Sequence, residues 1–416
     1  ANSYGVSWEP GQAVFQYPNK NRASTIWDHD HALGMTRLNV YAGPAGFYLV
    51  RGGPAGDDAV LDSSTALAAV LPGPAPKEND KFPPNKTYYE IPIAIQDRSF
   101  NLDGSLFYPD TRAFFDGITG PYRPETDVSP IWNPEFFGNM IMVNGNTWPF
   151  QTVEQRRYRF RLLNGCDSRF LILDFSRIPG VDVWQIGNEG GFLAAPVNIT
   201  AAGNRLLMSP AERADVIVDF TSVQAGNYVL GNVGPDEPFG GGVPGVDFPV
   251  ADSATTGQIM QFRVVRAVAA DPTTAPQFLV LPPITRLPPA TVTRRLALLE
   301  EISRFLDDAP VETELGVVSG DPNTGVGTWT KLEWRFPITE NPMIGATEVW
   351  ELYNATADAH PIHIHLVRFQ IVNRQPFDPD RYLSTGELVF TAPPEAPAPN
   401  ERPAWKDTVR TMPGFV

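Results

Sequence analysis

Residues 140–165 read MIMVNGNTWPFQTVEQRRYRFRLLNG, and two features of that stretch decide the fold class. The apolar run MIMV stops at Asn144-Gly145, a pair favoured in tight hairpin turns because both positions tolerate positive φ. Further on, Tyr158, Phe160 and Leu162 alternate with Arg159 and Arg161, the period-two pattern of a strand with one face in a core. Working outward, FLILDF (170–175), VDVWQIG (181–187), NRLLMS (204–209), RADVIVDF (213–220), NYVLGNV (227–233) and IMQFRVV (259–265) extend the series. This is the strand roster of a β-sandwich running from about residue 88 to 265.

The flanks read as further β units. Upstream, residues 1–57 contain QAVFQYPN and a strand-like AGFYLV, and a Pro/Gly/Asp-rich connector over 58–87 leads into YYEIPIAIQDRSF. Downstream, VRAVAADPTTAPQ carries the chain to RRLALLEE, ATEVWELYN, RFQIVN and WKDTVRTM, again with a period nearer two than 3.6. Division into 1–80, 81–270 and 271–416 accounts for the pattern better than one large α/β fold. The first and last units are expected to be incomplete, since each has fewer strands than a closed sandwich needs.

The chain has 416 residues, more than one core usually organises. Its 42 Pro and 35 Gly favour strands joined by turns. A net charge of −15 without a Lys/Arg block argues against nucleic acid or an anionic membrane as partner. No long apolar run or signal peptide is evident, so the chain reads as mature or trimmed. The single Cys166 excludes an intrachain disulfide, and sequons at Asn85, Asn198 and Asn354 are weak signals.

All five histidines fall in two knots, His29 and His31 in WDHDHALGMTRLNVYAG and His360, His363 and His365 in HPIHIHL. Alternate side chains of an extended strand share a face, so His29/His31 and His363/His365 each form a two-pronged imidazole fork. Val367, Phe369 and Ile371 are expected to continue the second fork's face into core. His360 lies outside that register and is free to serve a different metal. Imidazole suits copper, zinc, iron and nickel. For one lone pair, a satisfied structural or surface histidine is as good a reading; two forks and an outlier, with no histidine elsewhere, weigh toward metal.

The strings YPN, WDHDHALGMTRLNVYAG, SLFYP, VNGNTWPF, YRFRLLNG, LMSPAERADVIVDF, AHPIHIHLVRFQIVNRQPFD and WKDTV occur in an order that closely resembles the multicopper oxidases, in their bacterial spore-coat laccase and bilirubin-oxidase branch. The resemblance implies an all-β protein of three cupredoxin-like Greek-key β-sandwich domains, the first and third incomplete here. It implies a type 1 copper that takes electrons from phenolic, pigment or metal-ion donors, and a type 2 and paired type 3 cluster that reduces dioxygen to water. By the same resemblance His29, His31 and His365 are type 3 ligands, His363 ligates type 2 copper and His360 type 1 copper. The cluster would lie between the first and third domains. A secreted, periplasmic or cell-surface location is expected.

The sequence departs from the family pattern in lacking two further histidine forks and the late His-Cys-His segment. Cys166, in NGCDSRF, has no histidine neighbour and reads as a small buried residue, and Met412 as incidental. Asp28 stands where the family commonly has Tyr. Two explanations follow. The chain is a partial oxidase whose remaining pieces come from a complementing chain or oligomer, or it is a catalytically silent copper-binding or structural remnant. The intact retained ligands favour the first. A zinc hydrolase is a further alternative, disfavoured by the lack of HExxH or a close Cys pair. The Pro-rich stretch YLSTGELVFTAPPEAPAPNERP (382–403) is expected to be a loop rimming the type 1 site.

Overall fold

The alternation around Phe160 places the strand Arg157–Asn164 at the centre of the middle unit. In the computed structural model, which describes residues 9–12, 14–52, 59–77, 87–117, 127–129, 133–306, 309–319 and 327–416, this strand pairs antiparallel with Arg213–Asp219 and parallel with Glu90–Phe100. The sheet runs Gly191–Asn198, Asp182–Asn188, Arg213–Asp219, Arg157–Asn164, Glu90–Phe100, Met140–Val143 and Asn146–Thr147, with Leu106–Phe107 beside Glu90–Phe100. A second sheet runs Arg205–Met208, Leu171–Asp174, Gly226–Asn232, Gln258–Val265 and Phe150–Glu154. Between them lie Tyr158, Phe160 and Leu162, packed with Ile95, Leu173, Val216 and Phe262. Phe160 stacks on Phe262 with ring centroids 5.5 Å apart. Burying each such side chain contributes about 1.5–3 kcal/mol, which makes this face the main stabilising core. Asn144 and Gly145 have φ of 49° and 79°, the double positive φ that a two-residue hairpin turn of this hand requires.

The opposite face of Arg157–Asn164 is also buried. Arg159 and Arg161 are 1% and 4% exposed, and both guanidiniums bond Asp215, with Arg161 also reaching Glu90. Alternation reveals two faces but not what covers the second. Here the cover is the rest of the chain. The strand Ser24–His29, paired antiparallel with Ala45–Val50, brings Thr25 Oγ1 within 3.2 Å of Arg161, and Ala23, Val60, Leu279, Leu281 and Ala404 join Ile186, Phe192, Leu193 and Ile217 in a second apolar cluster.

The two connectors are partly ordered against each other. Leu61–Asp62 pairs with both Leu67–Ala68 and Leu279–Val280, a short ladder between segments far apart in sequence. In the last unit, a four-stranded sheet runs Thr328–Leu332, Pro310–Ser319, Val292–Ile302 and Glu348–Asn354. Its core is Ala297, Leu299, Val318, Tyr353, Phe377, Tyr382 and Leu388. Tyr382 lies in a helix, Pro379–Thr385, so the stretch 382–403 begins helical rather than as loop; Asp378 caps that helix by accepting from the Arg381 N–H. The stretch ends against the middle unit, where Asn400 donates to Gln185. Fold class is therefore all-β sheet with a few short helices.

Of the sequons, Asn85 lies outside the described residues. Asn354 is fully buried and donates to the carbonyls of Asp358 and Thr411, so it is a structural asparagine.

Candidate metal centre

His29 closes the strand Ser24–His29, opposite Ala45, and the chain leaves the ladder there. Asp30 directs the exit. Its carboxylate accepts from the Ala32 N–H and the Asn39 amide, which ties the turn to the helix Thr36–Tyr41 and holds its carboxyl below the usual range. The fork survives the end of the strand, with the rings of His29 and His31 5.9 Å apart. Trp27 packs on His29 at 4.4 Å. Asp28 is exposed and shares with His29, Asp30 and Asn39 the lining of an open cleft of about 450 Å³.

The second knot is shorter as a strand than its pattern implies. His360–His363 pairs antiparallel with Thr408–Thr411, but pairing stops at His363. Leu366 adopts φ of 67°, and the ladder resumes only as a single bridge between Phe369 and Lys406. Val367 is consequently 55% exposed, outside any core. The excursion between Ile364 and Phe369 carries His365 outward, where its ring lies 5.0 Å from His363 and 4.9 Å from His31. Four imidazoles from opposite ends of the chain thus stand in a row, His29, His31, His365, His363.

Two of these rings have their orientation set by backbone carbonyls. His29 Nδ1 lies 2.6 Å from the Asp30 carbonyl and His363 Nδ1 2.7 Å from the Asp407 carbonyl. A carbonyl only accepts, so Nδ1 carries the proton in each and Nε2 holds the free lone pair. This is the arrangement by which an outer group orients a metal-ligating histidine. Hydrogen bonding to Asp407 raises His363 above the ordinary histidine value, against the effect of burial. Burial lowers His365, assisted by its histidine neighbours, and so favours the neutral ring that binds metal.

His360 is not part of the row. On a strand the i, i+3 spacing from His363 puts the two on opposite faces. The hydroxyl proton of Thr356 is directed to Asn354 Oδ1 at 2.8 Å, so its oxygen accepts from His360 Nε2 at 2.7 Å and leaves Nδ1 as the lone-pair nitrogen. Burial lowers the pKa of His360 as well. Cys166 sits in the middle-unit core, its thiol 3.8 Å from the Ile95 carbonyl, and burial pushes that thiol up. It supplies no thiolate to either histidine group. Met412 packs beside the cluster of Phe170, Ile172, Val233, Phe239 and Ala359. Among the described residues, the only three His, Cys, Asp or Glu donors mutually within 4.8 Å are Glu301, Glu312 and Glu314, where Lys331 pairs with Glu301 and Glu314. The histidine row offers adjacent donor pairs and does not form a closed three-histidine cage.

Residue-type reasoning missed the groups that hold the row in place. Arg213 bonds the carboxylate of Asp407 and the carbonyl of Thr25, and Lys406 pairs with Glu189 at 2.7 Å and Glu212 at 3.2 Å. Their only sequence signal is charge inside otherwise strand-like runs, RADVIVDF and WKDTV. At Gly190 an added Cβ would lie 1.8 Å from the Trp405 carbonyl, so only glycine lets the segment before Asp407 seat on the middle unit.

A model of the multicopper oxidase family matches residues 314–415. The laccases of Bacillus stratosphericus and Bacillus subtilis strain 168 are 37% and 35% identical over 97% of the chain, which covers 66% of each of them, just under two thirds. A rice protein, multicopper oxidase LPR1 homolog 3 of Oryza sativa subsp. japonica, is 32% identical over 99% of the chain and 71% of its own length. In fold, the crystal structure of the McoA multicopper oxidase from Aquifex aeolicus superposes with a TM-score of 0.60, at 24% identity, over 95% of this chain and 68% of that one. Sandwich, histidine row and kinship taken together, the chain belongs to the multicopper oxidase family.

Proposed function

We propose that this chain is a copper-holding framework of three cupredoxin-like domains, near 1–80, 81–270 and 271–416, that carries part of the ligand set of a laccase-like oxidase. His29, His31 and His365 would serve paired type 3 coppers and His363 a type 2 copper, while His360 would serve a type 1 copper through Nδ1. The observation that carries the reading is the meeting of His31 and His365, ring to ring at 4.9 Å, from opposite ends of the sequence. Copper bound there supplies one-electron steps that end in reduction of dioxygen to water. The residues orient Nε2 of His29 and His363 and keep His365 neutral.

On its own this chain is the copper-binding form of that framework, without turnover. A blue copper site takes two histidines and a thiolate, and only His360 of this chain stands apart from the row while Cys166 is committed to the core. Oxidation of a phenolic, pigment or metal-ion donor therefore requires ligands from a complementing segment or chain. The net charge of −15 favours cationic donors for that assembly. Among the described residues no helix is long and apolar enough to cross a membrane. The secreted, periplasmic or cell-surface setting proposed for the protein rests on its family resemblance alone. Zinc hydrolysis gains nothing from the family kinship.

Copper per chain, visible absorption and oxygen uptake test this reading together. The expected result is copper bound in proportion to chain, lost when His31 and His365 are both changed to Ala, with no intense blue band and no donor-dependent oxygen uptake. A chain that binds no copper overturns the framework reading; a blue chain that consumes oxygen overturns the claim that it is silent alone.

A further inference from the structure

We propose that Arg213 is the positioning residue that sets the two histidine forks relative to one another; the inference rests on the reading that the row holds copper. Arg213 begins the strand Arg213–Asp219 in the middle unit, which contributes no histidine, and it is 2% exposed. Its planar guanidinium reaches both of the other units. Nε donates to the Thr25 carbonyl at 3.0 Å, four residues before His29 on the same strand. Nη1 donates to Asp407 Oδ1 at 3.1 Å and to the Ala211 carbonyl at 2.7 Å, and Nη2 bonds Asp407 Oδ2.

Asp407 transmits the constraint. Its side chain is held by Arg213 and by the Thr408 hydroxyl at 2.8 Å, while its carbonyl accepts from His363 Nδ1. Anchoring the side chain fixes the carbonyl that accepts from His363 Nδ1 at 2.7 Å together with the Oδ1 that faces the same nitrogen at 3.5 Å, and so sets the ring's tautomer and direction. One rigid fork of donors thus ties the strand of the first histidine pair to the carbonyl that aims the second. Lysine keeps the charge but lacks the planar geometry to meet Thr25 and both oxygens of Asp407 at once.

The test uses this chain with Arg213→Lys, Arg213→Gln and the quadruple His29→Ala, His31→Ala, His363→Ala, His365→Ala variant. Cu²⁺ alone is titrated by calorimetry, and long-range 15N–1H spectra of the metal-free proteins report the His363 tautomer. The expected results are a single Nδ1–H form in the unsubstituted chain, a mixture of tautomers in both Arg213 variants, and copper affinity at least tenfold weaker in Arg213→Gln and at least threefold weaker in Arg213→Lys. A merely structural arginine would lower the melting temperature and leave the tautomer unmoved. Affinity within twofold of the unsubstituted chain and a retained Nδ1–H ring in Arg213→Lys overturns the proposal, and that variant decides the matter if Arg213→Gln does not fold. Equal copper binding by the unsubstituted chain and the quadruple variant would instead overturn the copper reading, with the ring signature still judging Arg213.

Discussion

Lys406→Met isolates the contact that seats the last unit on the middle one. Lys406 is 3% exposed, and its ammonium lies 2.7 Å from Glu189 and 3.2 Å from Glu212, both themselves buried. Glu212 retains Arg410 at 2.8 Å, whereas Glu189, 2% exposed, loses the ammonium that neutralises it. Burial already raises the Glu189 carboxyl, and Lys406 is the largest opposing influence. Methionine fills similar volume, so the loss is chiefly electrostatic. Breaking a buried pair by removing one partner costs about 3–5 kcal/mol because the other charge is left uncompensated. That cost depends on pH with a definite sign. A carboxyl whose folded value is raised keeps its proton in the folded state, so the variant's penalty shrinks below the ordinary glutamate value and grows as pH rises through it. Chemical denaturation at pH 5 and pH 8 measures this directly. The expected loss at pH 8 is about 3–5 kcal/mol, smaller at pH 5, and the double variant Lys406→Met/Glu189→Gln should recover at least half of it. A loss under about 1 kcal/mol at pH 8, or a double variant no more stable than the single, would refute the reasoning.

Burial alone would raise Glu90 and Glu401, but Arg159 and Arg161 beside the first and Arg374 and Arg410 beside the second hold both at about 2. Their contribution, up to about 3 kcal/mol each, should be complete above the ordinary glutamate value and disappear as pH falls toward 2, visible as a steep acid limb in melting temperature that Glu401→Gln makes shallower. Glu135 behaves oppositely, pushed up to about 8 by burial and then by Asp358, Glu300 and Asp167. Glu135→Gln should therefore reduce the fall in stability between pH 5 and pH 8 by on the order of 2 kcal/mol, measured by urea denaturation of metal-free protein. Cys166→Ala should leave copper stoichiometry unchanged while costing about 1–2 kcal/mol of stability, since its thiol fills core space beside Ile95. Loss of copper in that variant would contradict the assignment of Cys166 to the core.

Local pattern carried the middle sandwich because each of its signals has local physics. Asn144-Gly145 turned because both residues accept positive φ, and Phe160 went inward because its neighbours alternate. The forks were legible for the same reason, since a spacing of two places rings side by side. What eluded pattern was everything decided across the chain. Nothing near Arg159 or Arg161 says that their face would be roofed by Ser24–His29. Nothing near His365 says that the strand would end two residues earlier, with Leu366 in left-handed backbone and Val367 exposed. The connector over 58–87 looked like pure loop because a two-residue strand such as Leu61–Asp62 has no period to read; its partner is Leu279–Val280.

The charged face of the middle unit has a physical rationale that an apolar one would lack. Apolar burial holds Ala23, Leu281 and Ala404 against Ile186 and Ile217, but it is non-directional and tolerates small slides. A metal site assembled from two ends of a chain needs its donor atoms held to within about 0.5 Å. Hydrogen bonds from planar guanidiniums resist slides that apolar contact permits, because their geometry is narrow in both distance and angle. Arg161 on Thr25 Oγ1, Arg213 on the Thr25 carbonyl and Asp407, and Lys406 on Glu189 and Glu212 all lie along the same seam. The apolar cluster thus provides the association and the buried charges provide the register. By this argument, substitutions in the charged seam should disturb the relative placement of the two forks more than apolar truncations of equal stability cost.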